Sequence, residues 1–139
     1  MPMELFGGYL DVLAGRTSEG LERLRRYRDQ VVLGEAPAPG LPGVATRLLL
    51  EGYARAAEPG AGLALADEAL GMGRGARLWE AEIRRLRALF LAALGEPRGE
   101  VDAELYRALA AARRRGQRAF EERVRGTLAE RGFRHDRAI

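Results

Sequence analysis

Arg47, Glu51 and Arg55 recur at intervals of four, which on a helix sets two guanidinium groups and a carboxylate along one face. Arg84 and Arg87 make a similar polar stripe further along the chain. Guanidinium forks grip a carboxylate through paired hydrogen bonds. The chemistry expected of these five residues is therefore the capture of an acidic peptide or a carboxylate, with no bond making. An ordinary polar surface is the competing reading of the same stripe.

Other candidates carry less. Gly71-Met72-Gly73-Arg74-Gly75-Ala76 has the outline of a dinucleotide fingerprint, but that motif needs strands on either side, and Leu63 to Leu70 reads as helix. A glycine-rich helix stop is the expectation there. Arginines cluster at Arg23/Arg25/Arg26/Arg28, Arg84/Arg85/Arg87 and Arg113/Arg114/Arg115/Arg118. Several have an acid one turn earlier: Glu19 for Arg23, Glu22 for Arg26, Glu80 for Arg84 and Glu121 for Arg125. Such pairs stabilise a helix by about 0.2–0.5 kcal/mol each and describe solvated faces. A nucleic-acid surface is the alternative, weakened because no aromatics interleave with these arginines. His135 stands alone in a chain without Cys, so neither a metal nor a cofactor is expected. Glu121-Glu122 and Asp67-Glu68 are adjacent pairs that point different ways on a helix, unsuited to paired acid–base work. Tyr9, Tyr53, Tyr106 and Trp79 sit on or beside apolar stripes and read as packing residues.

Much of the catalytic repertoire is missing. There is no Cys, no Lys and no Asn, and Ser18 and His135 are single occurrences. Thiolate, Schiff-base and phosphate-loop lysine chemistry are excluded, and a Ser-His-acid triad would have to use that one pair. All 23 cations are Arg, and 20 acids oppose them, so the net charge of +3 gives no strong field. The bias points to a GC-rich genome and also fits a thermophilic source; composition bias is the simpler cause. With 139 residues, 47% apolar and 31% charged, the chain has the makings of one globular domain. No apolar run reaches the roughly 20 residues needed to cross a bilayer, and the start Met1-Pro2-Met3-Glu4 lacks a charged leader region. A cytoplasmic protein without membrane contact is expected.

These side chains need helices to place them. Ala, Leu, Glu and Arg dominate, and β-branched residues never alternate with polar ones over a strand's length. Apolar spacing of three and four predicts seven helices, at about 4–14, 18–33, 41–57, 61–72, 77–94, 100–115 and 117–131. Leu5, Phe6, Tyr9, Leu10 and Leu13 share the first face. Trp79, Ile83, Leu86, Phe90 and Leu94 mark the fifth, with Leu78 and Leu89 as a second apolar edge. Short Gly- and Pro-containing connections make consecutive helices antiparallel, as three hairpins and a terminal helix. Residues 1–132 form the predicted domain, and 133–139 a polar tail expected to fray.

The chain also repeats. Gly8-Tyr9 and Gly52-Tyr53 each precede a small-residue break and then a Gly-Leu, at Gly20-Leu21 and Gly62-Leu63. The period is about 40 residues, longer than the roughly 34 of a standard tetratricopeptide repeat. Gly8, Gly52, Ala66, Ala69 and Ala108 would let backbones approach, so that stacked hairpins bury one continuous core.

Ala66-Asp67-Glu68-Ala69-Leu70, Trp79-Glu80-Ala81-Glu82, Arg85-Leu86 and Ala92-Ala93-Leu94-Gly95 give the stretch from Ala64 to Leu94 a likeness. It resembles the C-terminal tetratricopeptide-like (TPR-like) repeats of large bacterial signalling ATPases, those fused to LuxR-type DNA-binding or adenylate-cyclase domains. Leu105 to Arg113 and Gly15 to Leu21 fit as well, so the likeness spans most of the chain. Arg84 stands where the family usually has His, and the family's ATPase module and output domain are absent from the sequence. The resemblance implies an all-α, right-handed helical repeat that recognises partners or small inducers without chemistry. The function expected is thus a non-catalytic scaffold for protein or acidic-peptide recognition in signalling or transcription control. Its site is Arg47, Glu51, Arg55, Arg84 and Arg87 on the concave face. A nucleic-acid-binding helical module is the alternative. Exposed ends of so short a stack also allow a homodimer.

Overall fold

Strong helix formers punctuated by Gly and Pro leave the chain one structural option, and the computed structural model takes it. It describes residues 3–32, 41–71 and 77–138, with side-chain surroundings for 7–30, 43–71 and 77–132. Among the described residues there are seven α-helices and no strand. They are α1 (Met3–Leu13), α2 (Thr17–Val32), α3 (Leu41–Arg55), α4 (Pro59–Gly71), α5 (Glu80–Ala93), α6 (Arg98–Arg114) and α7 (Arg118–Ala138). A short 3-10 turn, Arg77–Trp79, leads into α5. No helix among the described residues is long and apolar enough to cross a membrane. The predicted loop around Pro37 and Pro39, and Met72 to Ala76, lie outside the described residues.

Four helix ends are built alike. Gly15, Ala57, Gly95 and Gly116 follow α1, α3, α5 and α6 with φ of 90°, 54°, 80° and 64°. The next amide then reaches back five residues: Arg16 to the Asp11 carbonyl at 2.8 Å, Glu58 to Tyr53 at 3.0 Å, Glu96 to Leu91 at 3.0 Å and Gln117 to Ala112 at 2.9 Å. This is the left-handed stop that satisfies otherwise orphaned carbonyls and turns the chain back. The three stops inside hairpins fall about 40 residues apart, so the repeat seen in the sequence exists in the backbone. Pro59 and Gly60 do not break α3, as the sequence suggested; they open α4, where the missing proline N–H costs nothing.

The helices form two layers. α1 touches α3, α3 touches α5 and α5 touches α7, while α2, α4 and α6 each lie against their two sequence neighbours. Glycine sets the closest approach. A Cβ on Gly20 would lie 2.5 Å from the Gly8 carbonyl oxygen of α1, and one on Gly62 would run into the Phe90 ring of α5. The core is segmented, unlike the single core expected. Leu21, Leu24, Leu50, Leu65, Ile83 and Phe90 belong to one cluster across α1 to α5, and Leu91, Val101, Leu105 and Val124 to another across α5 to α7. Leu63 packs against both, and Ala81, Ala111 and Ala112 make a third patch.

Several packing expectations fail at the edges. Leu10, Leu13, Leu78, Leu94 and Tyr106 are exposed. α1 begins the stack, so only its inner side is covered, and Val12 takes the buried position there instead. Leu78 lies in the 3-10 turn and Leu94 at the α5 stop, both beyond the packed helix face. α7 runs on past Gly132 to Ala138. One glycine costs a helix only about 1 kcal/mol, and no proline follows it.

Ala57 is the only described residue other than glycine with positive φ. Its left-handed backbone costs about 1–2 kcal/mol, and replacing it with glycine gives back part of that in chain entropy. Ala57→Gly is expected to stabilise the fold by about 0.5–1 kcal/mol, raising the thermal midpoint by roughly 2–4 °C. A lowered midpoint in a calorimetric scan contradicts the left-handed stop at this position.

Candidate functional site

A groove of about 610 Å³ crosses the odd-helix layer. Tyr9 comes from α1, Arg47, Leu48, Glu51, Ala54 and Arg55 from α3, Arg85, Leu86 and Leu89 from α5, and Arg123 from α7. Stacking therefore brings together residues that lie over a hundred positions apart in the chain. The floor is aliphatic and the rim is cationic.

Each charged group is held differently. Tyr9 donates its hydroxyl hydrogen to Glu51 Oε2 at 3.0 Å, and Arg47 Nη2 pairs with Glu51 Oε1 at 3.3 Å. The Arg47 guanidinium lies 5.0 Å from the centre of the Trp79 ring, a cation–π stack, and its buried Nε has no hydrogen-bond acceptor. Trp79 in turn leans on Phe120 of α7, with ring centres 5.9 Å apart. Arg85 gives two hydrogen bonds to Glu82, Nε to Oε1 at 3.0 Å and Nη2 to Oε2 at 3.2 Å, and Arg123 Nη1 donates to the same Oε2 at 3.0 Å. Glu82 is wholly buried, so it anchors two rim arginines from beneath. Arg55 is exposed and has no ion-pair partner among the described residues. Four guanidinium groups thus face one lining carboxylate and one buried one, an excess of positive charge that favours an anionic guest.

The structure divides the five predicted residues. Arg47, Glu51 and Arg55 line the groove together. Arg84 and Arg87 do not. They turn to α6, where Nη1 of each bonds the buried carboxylate of Glu104, at 2.8 Å and 2.6 Å. Arg84 also donates to Glu80 at 3.0 Å, and Arg87 to Asp67 of α4 at 2.7 Å. Burial of the two works against their charge, yet the hydrogen bonds they donate to these carboxylates hold both guanidinium groups above their ordinary pKa. The α5 face chosen from the sequence is thus one step round the helix from the face that lines the groove. Glu82, Arg85, Leu86 and Leu89 follow one another by three, one and three, and a wheel aligned to Leu86 and Leu89 selects Arg85. Tyr9 and Arg123 had no such signal, because only the stacking of α1 and α7 beside α3 and α5 puts them there.

The arginine clusters are mostly tied internally. The predicted pairs of Glu22 with Arg26, Glu80 with Arg84 and Glu121 with Arg125 form. Arg23 instead pairs with Asp11 of α1 at 2.8 Å, across the hairpin, in place of Glu19. Arg28 is buried and bridges three helices, with Nε to Thr46 Oγ1 at 3.3 Å and Nη2 to Glu68 at 3.2 Å. Arg113 meets Glu121, and Arg114 and Arg115 meet Glu80. The Gly71 motif follows a helix, the wrong context for a dinucleotide site, and the His135 side chain lies outside the described ones.

These pairs make stability depend on acid. The hydrogen bonds from Arg23 and Arg16 hold Asp11 below its ordinary 3.8, and those from Arg113 and Arg125 hold Glu121 below 4.5. Burial pushes Glu80 up, but Arg84, Arg115 and Arg114 outweigh it and leave the group below 4.5. All three folded carboxylates bind a proton less readily than their unfolded counterparts, so their contribution is complete above the ordinary values. It is lost as pH falls through the lower folded ones. The denaturation midpoint is expected to hold steady down to about pH 5 and to fall below about 4.5; a midpoint that rises on acidification contradicts these pairings. Glu104→Gln is expected to cost about 1–3 kcal/mol, because it weakens the charge-assisted bonds from Arg84, Arg87 and Arg107 in a dry site. Asp67→Asn, at an exposed partner of Arg87, should cost below about 1 kcal/mol. Urea midpoints at constant slope measure both, and equal losses would contradict a buried anchor at Glu104. No protein-family model matches this chain, and no curated protein or solved structure matches it.

Proposed function

We propose that the chain is a right-handed, tetratricopeptide-like stack of helix hairpins that holds an acidic segment of a partner protein along its odd-helix face. It performs no chemistry of its own. The observation that carries this reading is the groove across α1, α3, α5 and α7, with its excess of guanidinium groups and the unpaired Arg55. In hairpin arrays the first helix of each repeat lines the binding face, and the groove residues come from those helices together with the terminal α7. The resemblance of Ala64 to Leu94 to repeats of bacterial signalling ATPases supports a role as a recognition module in signalling or transcription control. The binding set is then Arg47, Glu51 and Arg55 with Arg85 and Arg123, while Arg84 and Arg87 serve the α5–α6 interface. The arginine clusters give the nucleic-acid alternative little to work with, since so many of their charges are already met by carboxylates.

A fluorescein-labelled peptide of Asp and Glu alone tests the reading by anisotropy. It should bind the wild-type chain, and Arg55→Ala should weaken binding about tenfold, the worth of a charge-assisted pair. Arg84→Ala should lower stability and leave the affinity unchanged. Equal affinity for wild type and Arg55→Ala, or tighter binding of a single-stranded oligonucleotide with a steep salt dependence, contradicts the proposal.

A further inference from the structure

Beside the cationic groove lies a second hollow, of about 390 Å³, on α3, the α3–α4 turn, the start of α4 and α5. Tyr53, Pro59, Phe90 and Ala93 line it, and Ala54 and Leu89 line both it and the groove. The two depressions therefore share a wall and form one continuous surface. Their chemistry is opposite. The only side-chain polar atom that lines the hollow is the Tyr53 hydroxyl, and this already accepts a hydrogen bond from Arg25 Nε at 2.7 Å. Apart from that phenol's own O–H, a polar guest that gave up water there would find no side-chain partner, whereas an apolar side chain loses nothing. The shared residue Ala54 immediately precedes Arg55, the unpaired cation of the groove. Ala54, Leu89 and Arg55 all line the groove, so an occupant that gives Arg55 a carboxylate lies along the wall shared with the hollow.

Resting on the acidic-segment reading above, we infer that the partner segment is amphipathic. A bulky aliphatic or aromatic side chain flanks its carboxylates and enters the hollow beside Phe90 while the acids meet the arginines. Charge alone would attract any acidic chain, and the hollow supplies the selection among them. The wall residues come from α3, the α3–α4 turn, the start of α4 and α5, so this selectivity exists only where two hairpins stack.

Two labelled peptides test it on the full chain: Asp/Glu sequences identical except for one central Leu or Ala. The Leu peptide should bind about tenfold more tightly, the value expected for burying one aliphatic side chain. Ala93 is exposed, so Ala93→Gln can fill the hollow without touching the arginines or the core. This variant should erase the Leu advantage and bind the Ala peptide as wild type does. Equal binding of the two peptides by the wild type, or a Leu advantage that survives in Ala93→Gln, overturns the inference and leaves the acidic reading standing. Binding of neither peptide overturns both.

Discussion

The left-handed stop at the end of each hairpin's first helix is the constraint on which the rest of the structure depends. At Gly15, Ala57 and Gly95 it reverses the chain within three or four residues and forces the next helix back antiparallel. Because the reversal recurs at nearly constant spacing, α1, α3 and α5 fall side by side on one layer, and α7 joins them after the same stop at Gly116. A longer or differently shaped turn would change which faces meet, and Tyr9, Glu51 and Arg85 would no longer share a groove. Backbone approach depends on the same geometry. Gly20 lies against the Gly8 carbonyl inside the first hairpin, and Gly62 of α4 lies under Phe90 of α5 where one hairpin meets the next.

A chain whose cations are all arginine uses them as cross-struts. Glu82 and Glu104 are buried acids that would be costly alone, and each is met by guanidinium groups from more than one turn or helix. The planar fork makes this possible, since Arg85 spans both oxygens of Glu82. On the α6 side the chain Asp67–Arg87–Glu104–Arg84–Glu80–Arg115 links α4, α5 and α6. On the groove side Glu82 fixes the rim. Breaking one partner strands the other as an uncompensated buried charge.

Most of the fold was legible in the sequence, because apolar spacing, Gly stops and helix formers all pointed the same way. The all-helical class, seven helices and short reversals followed from local signals. Half of the site was legible too: Arg47, Glu51 and Arg55 repeat by four on one element, and local spacing suffices for them. What did not follow were relations between elements. Arg84 and Arg87 looked equivalent to the α3 stripe, but which side of α5 faces α3 depends on how α4 and α6 wedge against it. Tyr106 looked like a packing residue until α6 proved to have no neighbour on that side. Ala57 hid a turn that three glycines announce elsewhere, since an alanine gives no sign that its backbone will be left-handed.

The account requires that an acidic segment lie across the odd helices. Backbone amide shifts of the isotope-labelled chain, followed during titration with an acidic peptide, test this most directly because they report position independently of affinity. The largest changes are expected around Tyr9, Arg47 to Arg55, Arg85 to Leu89 and Arg123, with α2 and the outer face of α6 silent. Changes centred on Arg113 to Arg118, or spread evenly over all seven helices, would contradict it.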